Sequence, residues 1–276
     1  MINLTEYEPN AKMRWYAVIS HYHLMPQEVY SVIQGHTVEP LYADTPLEEL
    51  RDISPLVIEL KSGSDGLIKK LKPTNTLFFA ADKSLDFDFV IDHLRNRMYL
   101  AFDGVRKGVF HYYQPKVASY FFSLSDKEDV CRWLSPLTAI VIFNQVSSQK
   151  NEWFGITQDL EEMKTSEIAS EVWTLTPSQD SALDTQYYDS GISEWGFAQG
   201  VEYSNIDWSA QRRLSKYFDS IDVIPDNTIN EVRDIIHSNS KIINNLNIEN
   251  IETSSEKNDE KLNKVKQALV RELYNG

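Results

Sequence analysis

The apolar positions of this 276-residue chain change their period along its length. In the first half, short apolar runs with strand character alternate with segments of helical period. "RWYAVISHY" (14–22), "PLVIEL" (55–60), "TLFFAAD" (76–82), "YLAF" (99–102), "TAIVIFN" and "EWFGIT" are aromatic and β-branched runs bounded by polar residues, so they predict strands. "EPLYA" is a short strand or turn, and Asp103-Gly104 reads as a turn closing "YLAF". Between them lie helical segments. "PQEVYSVIQG" opens at Pro26 and stops at Gly35. "TPLEELRD" offers Thr45 as N-cap and Pro46 at the first helical position. "SDGLIKKLK" is a short helix, and "SLDFDFVIDHLRNRM" (84–98) a longer one with Ser84 as its cap.

The stretch "GVFHYYQPKVASYFFSL" holds a change of period within a few residues. Phe110 to Tyr113 are expected to alternate in a strand. Pro115 cannot donate to a ladder, biases the residue before it away from helix, and suits the first turn of a helix. Gln114 then takes the N-cap position, and Val117, Tyr120, Phe121 and Leu124 form the buried helical face. "DKEDVCRWL" is the next helix.

After about residue 165 strand signals fade. Thr176-Pro177 starts a helix, and Ala210, Leu214 and Tyr217 or Phe218 recur at helical spacing. Ile229, Val232, Ile236, Ile243 and Leu246 form another stripe, and Leu262, Val265, Leu269 and Leu273 a last one. The acidic segment near 249–260 is poor in large apolar residues and reads as a flexible link. The expected architecture is an α/β lobe over 1–165, a mixed sheet with flanking helices, followed by an all-helical lobe over 166–276.

Composition supports a folded chain: 42% of residues are hydrophobic and 12% aromatic. The net charge of −14 disfavours nucleic-acid phosphates and anionic membranes. The densest basic cluster, "IKKLK" at 68–72, reads as a solvated helix end. Cys131 is the sole cysteine, so there is no intrachain disulfide and no cysteine-based metal site. The opening residues lack the apolar core of a signal peptide, and no run approaches the roughly 20 apolar residues of a membrane span. A cytoplasmic protein is expected.

Chemistry-bearing patterns are sparse. His21 and His23 share a face if extended, but lack an evident third ligand. Asp88 and Asp92 are neighbours on a helix and could hold a divalent cation, although acids also favour a helix N-terminus. There is no nucleophile elbow, no phosphate loop and no H-E-x-x-H. Cys131, with apolar neighbours, reads as a small buried hydrophobe. Trp195 and Trp208, in the loop-rich "EWGFAQGVEYSNIDW", are candidate interface anchors. No enzyme, metal or cofactor is expected from these features; a protein that binds proteins is.

An aromatic pair before a proline that opens a helix also resembles the core motif of type VI secretion effector chaperones, or adaptor proteins. Four further pieces resemble that family in order: "WYAVISHYH", "EPLYADTPLEELRDISPLVIEL", "TLFFAADKSLDFDFVIDHLRNRMYL" with Leu94-Arg95, and "LTPSQDSALD". The resemblance spans about 15–185. The family motif reads Arg-aromatic-aromatic-Asp-Pro-Arg. Here His111 stands for the first arginine, Tyr112 and Tyr113 are the aromatics, Gln114 replaces the aspartate, Pro115 is kept and Lys116 replaces the second arginine. The resemblance implies a non-catalytic loader whose partners are a toxin effector protein and the valine-glycine repeat spike protein. Arg95 and the 111–116 stretch are then candidate motif or partner-binding residues. An immunity protein that inhibits a toxin is the first alternative, and a metal-dependent hydrolase using Asp88, Asp92 and a distant histidine the second.

Overall fold

The longest apolar runs of the first half belong to strands that are covered on both faces. In the computed structural model, which describes residues 2–8, 12–20, 26–102, 106–158, 172–220, 227–238, 260 and 263–268, these strands and the half-buried edge strands beside them form one six-stranded sheet. These are β1 (Met13–Ile19), β2 (Val38–Pro40), β3 (Leu56–Glu59), β4 (Thr76–Asp82), β7 (Ala139–Phe143) and β8 (Trp153–Thr157), in the order β2-β3-β1-β4-β7-β8. Every registered pair in it is antiparallel. A second sheet pairs β5 (Tyr99–Phe102) antiparallel with β6 (Arg106–Val109) and parallel with β9 (Trp173–Thr174). The α/β lobe thus contains both pairings, with the parallel pair confined to the smaller sheet.

Alternation along the strands sorts side chains into two cores. Tyr16, Val18, Leu77, Phe79, Ile140 and Ile142 face one way, under α2 (Phe87–Asn96), α3 (Pro115–Leu124) and α4 (Lys127–Leu134). Trp15, Ala17, Phe78, Ala80 and Val141 face the other, where Ile33 of α1 (Pro26–Ile33) and Leu67 and Ile68 of a 3-10 helix (Gly66–Lys70) join them. Gly35, at φ +85°, ends α1 in the left-handed region that glycine adopts without penalty.

The chain divides into two compact units, Met1–Leu183 and Asp184–Gly276. The described residues of the second are helical apart from short connections: α5 (Pro177–Ala198, beginning in the first unit), α6 (Trp208–Ser220), α7 (Asn227–Ser238) and residues 263–268. The expected stripe is buried here: Ala210, Leu214, Tyr217 and Phe218 pack with Ile229, Val232, Ile236 and Val265. Asp189, fully buried, accepts a two-pronged pair from Arg212 Nε and Nη2, both at 2.6 Å. Ile243, Leu246, Leu262, Leu269, Leu273, the acidic segment before residue 260, the 103–104 turn and the His21/His23 pair lie outside the described residues.

Three expected helix starts move. Residues 48–53 form a 3-10 helix, Glu48–Ile53, with Leu47 at its cap. Thr45 Oγ1 still accepts the Leu47 N–H at 3.1 Å, so the capping chemistry is present but serves the preceding turn. The helix expected from Ser84 begins at Phe87, because Asp86 Oδ1 takes the Phe89 N–H at 2.8 Å. The Ser84 N–H is engaged with Asp82. "SDGLIKKLK" is likewise a 3-10 turn, capped by Asp65.

Candidate partner-binding region

The expected strand through Phe110–Tyr113 ends early. β6 stops at Val109, and the Gln114 N–H donates to the His111 carbonyl at 2.9 Å, closing a four-residue turn. Consecutive strand residues point to opposite faces; in this turn Tyr112 and Tyr113 both enter the core, 0% and 1% exposed. Pro115 is the first residue of α3, as its fixed φ dictates. Gln114 holds the extended cap conformation (φ −83°, ψ 116°) without a side-chain hydrogen bond to the helix. The buried face of α3 is Ala118, Ser119, Tyr120, Phe121 and Phe122; Val117 and Leu124 are half-buried.

The two tyrosines tie the turn inward. The Tyr112 hydroxyl donates to the Leu94 carbonyl at 2.9 Å, and burial raises its pKa well above the usual tyrosine value. The Tyr113 hydroxyl bonds His111 Nδ1 and lies 2.5 Å from the Tyr42 hydroxyl. The Tyr42 N–H in turn donates to Ser54 Oγ at 2.9 Å. The motif turn is therefore joined through hydroxyls to the 41–55 segment. Of the motif, His111 is exposed and Gln114 and Lys116 are half-buried.

Arg95 faces the sheet edge formed by β2. Its Nη2 donates to Glu39 Oε1 at 3.0 Å and to the Pro40 carbonyl at 3.2 Å, and its Nε to the Leu41 carbonyl at 3.3 Å. The structure thus places this candidate partner residue in an intramolecular clamp. Trp195 and Trp208, expected in a loop, lie in α5 and at the start of α6; they are 2% and 9% exposed. Trp195 Nε1 donates to Asp234 at 2.9 Å, and both indoles pack with Ile192 and Ile206. Helical period carries them inward. Among the described residues of this unit the large exposed aromatics are instead Tyr187, Phe197 and Tyr203.

Several anchoring residues were not singled out from sequence. Arg97 is buried between the faces of Trp133 and Trp173, 5.8 and 4.5 Å from the ring centres, and its Nε donates to the Trp133 carbonyl at 2.9 Å. Burial lowers its pKa to about 10. His93, stacked edge-on to Trp133, is driven to about 3 by burial and then by the Arg97 charge, so its imidazole is neutral. Asp129 accepts from the Thr176 and Ser178 hydroxyls, which hold its carboxyl below the usual range. Gln179 Oε1 accepts the Thr176 N–H at 3.2 Å while the Gln179 N–H reaches Thr176 Oγ1 at 3.4 Å, a capping box that the "TPSQ" spacing announces.

Asp88 and Asp92 gather no third carboxylate, histidine or cysteine among the described residues, and Asp92 lies 3.8 Å from Arg95. Cys131 is half-buried, and burial raises its thiol pKa. In a cleft of about 480 Å³ near the start of β1, Arg14 pairs with Glu59 at 3.1 Å, Glu8 accepts from Trp15 Nε1 at 2.8 Å, and His36 lies 3.0 Å from Asp65. No helix among the described residues is long and apolar enough to cross a membrane.

Residues 15–132 match a family model described as a domain of unknown function, DUF4123. The match begins within β1 and ends within α4, takes in the motif turn, Arg95 and Arg97, and stops before β7 and β8. No curated protein and no solved structure matches the chain.

Proposed function

We propose that the protein is a non-catalytic chaperone or adaptor that binds a type VI secretion effector and loads it onto the spike protein, acting in the cytoplasm. The observation that carries this reading is the DUF4123 match over 15–132, since that domain occurs in type VI secretion effector adaptors. The motif turn and Arg95 fall within the matched span and organise its core. The reading of a binder rather than a catalyst is supported by how the acids and bases are used: Glu59, Asp65, Asp86 and Asp129 each stabilise local structure. A net charge of −14 favours cargo with basic surface.

The test is coexpression of the tagged full chain with toxin-domain and spike proteins of its source organism. A complex containing all three, and loss of toxin export when this chain is deleted, is the expected result. A toxin bound and neutralised with export unchanged would make the protein an immunity factor. Absence of any complex would remove the adaptor reading.

A further inference from the structure

The terminal strand β8 is built for pairing. Its inner side follows from the register: the Asn144 N–H donates to the Glu152 carbonyl at 2.8 Å, and the Gln158 N–H to the Thr138 carbonyl at 2.9 Å. Antiparallel hydrogen-bonded positions alternate, so Phe154 and Ile156 also turn their backbone groups to β7. The N–H and C=O groups of Trp153, Gly155 and Thr157 then point away from the sheet, and among the described residues none of them has a backbone partner. The strand "WFGIT" carries no charge and no proline, the devices that blunt an edge.

A groove of about 550 Å³ runs beside this edge. Phe122, Phe154 and Ile156 supply its apolar surface, and Ser123, Lys127 and Glu152 part of its rim. On the opposite face the strand is closed. The Tyr7 ring occupies the place of a Gly155 side chain, with Cδ1 2.3 Å from where a Cβ would stand. An incoming chain therefore finds an open ladder and a pocket on one face only. Strand addition uses that pairing of features: main-chain bonds give affinity, and the pocket receives alternate side chains.

We infer that the β8 edge and its groove bind an extended segment of a partner polypeptide as an added strand, with a large apolar side chain of that segment in the groove. The inference rests on the adaptor reading for the identity of the cargo, not for the geometry. A second copy of this chain could pair at the same edge, but each copy carries −14 and repels the other, which favours a neutral or basic segment from a different protein.

The probe is a phage-displayed library of random decapeptides panned on the full-length chain, with enriched peptides synthesised and their affinities measured. Enriched peptides should alternate apolar residues and carry more Lys and Arg than Asp and Glu. On binding they should slow hydrogen exchange at the Trp153, Gly155 and Thr157 amides. Thr157→Pro removes an outward N–H and no bond to β7, and should weaken binding about tenfold. Ser123→Tyr fills the groove, leaves the ladder intact, and should weaken peptides with a bulky anchor more than those without.

Failure to enrich any peptide overturns the inference, as do unchanged exchange at those three amides and equal binding by both variants. A wild-type dimer that Thr157→Pro makes monomeric would assign the edge to a second copy and overturn it too. Effector capture that survives both variants defeats the inference and leaves the adaptor reading standing. Peptide binding without any effector or spike complex does the reverse.

Discussion

The two ends of the large sheet solve the same problem in opposite ways. On β2 the backbone groups of Val38 and Pro40 point outward, because the Leu41 N–H donates to the Pro55 carbonyl and the Thr37 carbonyl accepts from the Glu59 N–H on the inner side. Pro40 has no N–H to offer, and its carbonyl accepts from the Ala43 N–H and from Arg95 Nη2, both at 3.2 Å. At the other end β8 presents three alternate outward residues, Trp153, Gly155 and Thr157, with no proline among them. Their backbone groups have no backbone partner among the described residues, while Lys127 stands at the rim of the groove. The closed edge lies inside the DUF4123 match and the open one beyond it. Within the matched region the half-buried Arg95 thus helps to close the β2 edge, and the residues that follow add a strand that leaves the sheet extendable. Edges are aggregation hazards unless protected or used, and within one sheet the two fates can be compared under identical conditions.

Removing the clamp should produce the largest change. Arg95→Ala deletes the ion pair with Glu39 and two bonds to backbone carbonyls, all at a largely buried side chain. A loss of about 2–3 kcal/mol of stability is expected in urea unfolding. Arg95→Lys should recover only part of it, because an ammonium lacks the fork that spans Glu39 and both carbonyls. If the clamp is what closes the β2 edge, adding Pro40→Thr to Arg95→Ala should give concentration-dependent association in sedimentation that neither single variant shows. Stability unchanged in Arg95→Ala would mean that the clamp adds nothing beyond the proline and the Ala43 N–H bond to the Pro40 carbonyl.

A smaller effect is expected on the open side. Gly155→Ala sets a methyl against the Tyr7 ring, so the ring must shift, at a cost of about 1–3 kcal/mol. The same substitution in a Tyr7→Ala background should cost little, and the coupling between the two sites measures the contact. A Gly155→Ala penalty that persists without Tyr7 would place its cause in the strand itself. Binding of strand-forming peptides should survive Gly155→Ala, since the outward N–H and C=O of residue 155 remain.

Much of this contrast was legible in the sequence, and its decisive parts were not. The apolar runs at 76–82 and 139–143 announce strands, because burial on both faces leaves no polar alternation to confuse. Pro115 and Pro177 mark helix starts at their own positions. Tyr112 and Tyr113 misled, since an aromatic pair after a strand looks like more strand until a hydrogen bond from Gln114 to His111 turns the chain. Trp195 and Trp208 looked exposed for want of a clear apolar stripe in their surroundings. The role of Arg95 depends on residues more than fifty positions away, and that of Gly155 on Tyr7, so neither could be read from local pattern.

The smallest effect separates the motif from the edge. α3 forms one wall of the β8 groove through Phe122 and Ser123, and its first turn lacks the side-chain cap that Asp86 gives α2 and Thr176 gives α5. Gln114 already has an extended backbone, so a shorter acid there meets the first free N–H groups without rearrangement. Gln114→Asp should raise stability by about 0.5–1 kcal/mol through capping and the helix dipole. The gain should disappear below roughly pH 4, where an aspartate protonates and loses its charge. Peptide affinity at β8 should not move, because the cap lies two helical turns from the groove-lining residues. A rise in affinity along with stability would mean that the motif turn tunes the groove through α3, and the two edges would then differ in regulation as well as in exposure. An unchanged or lower melting temperature would mean that the first turn of α3 does not need a cap.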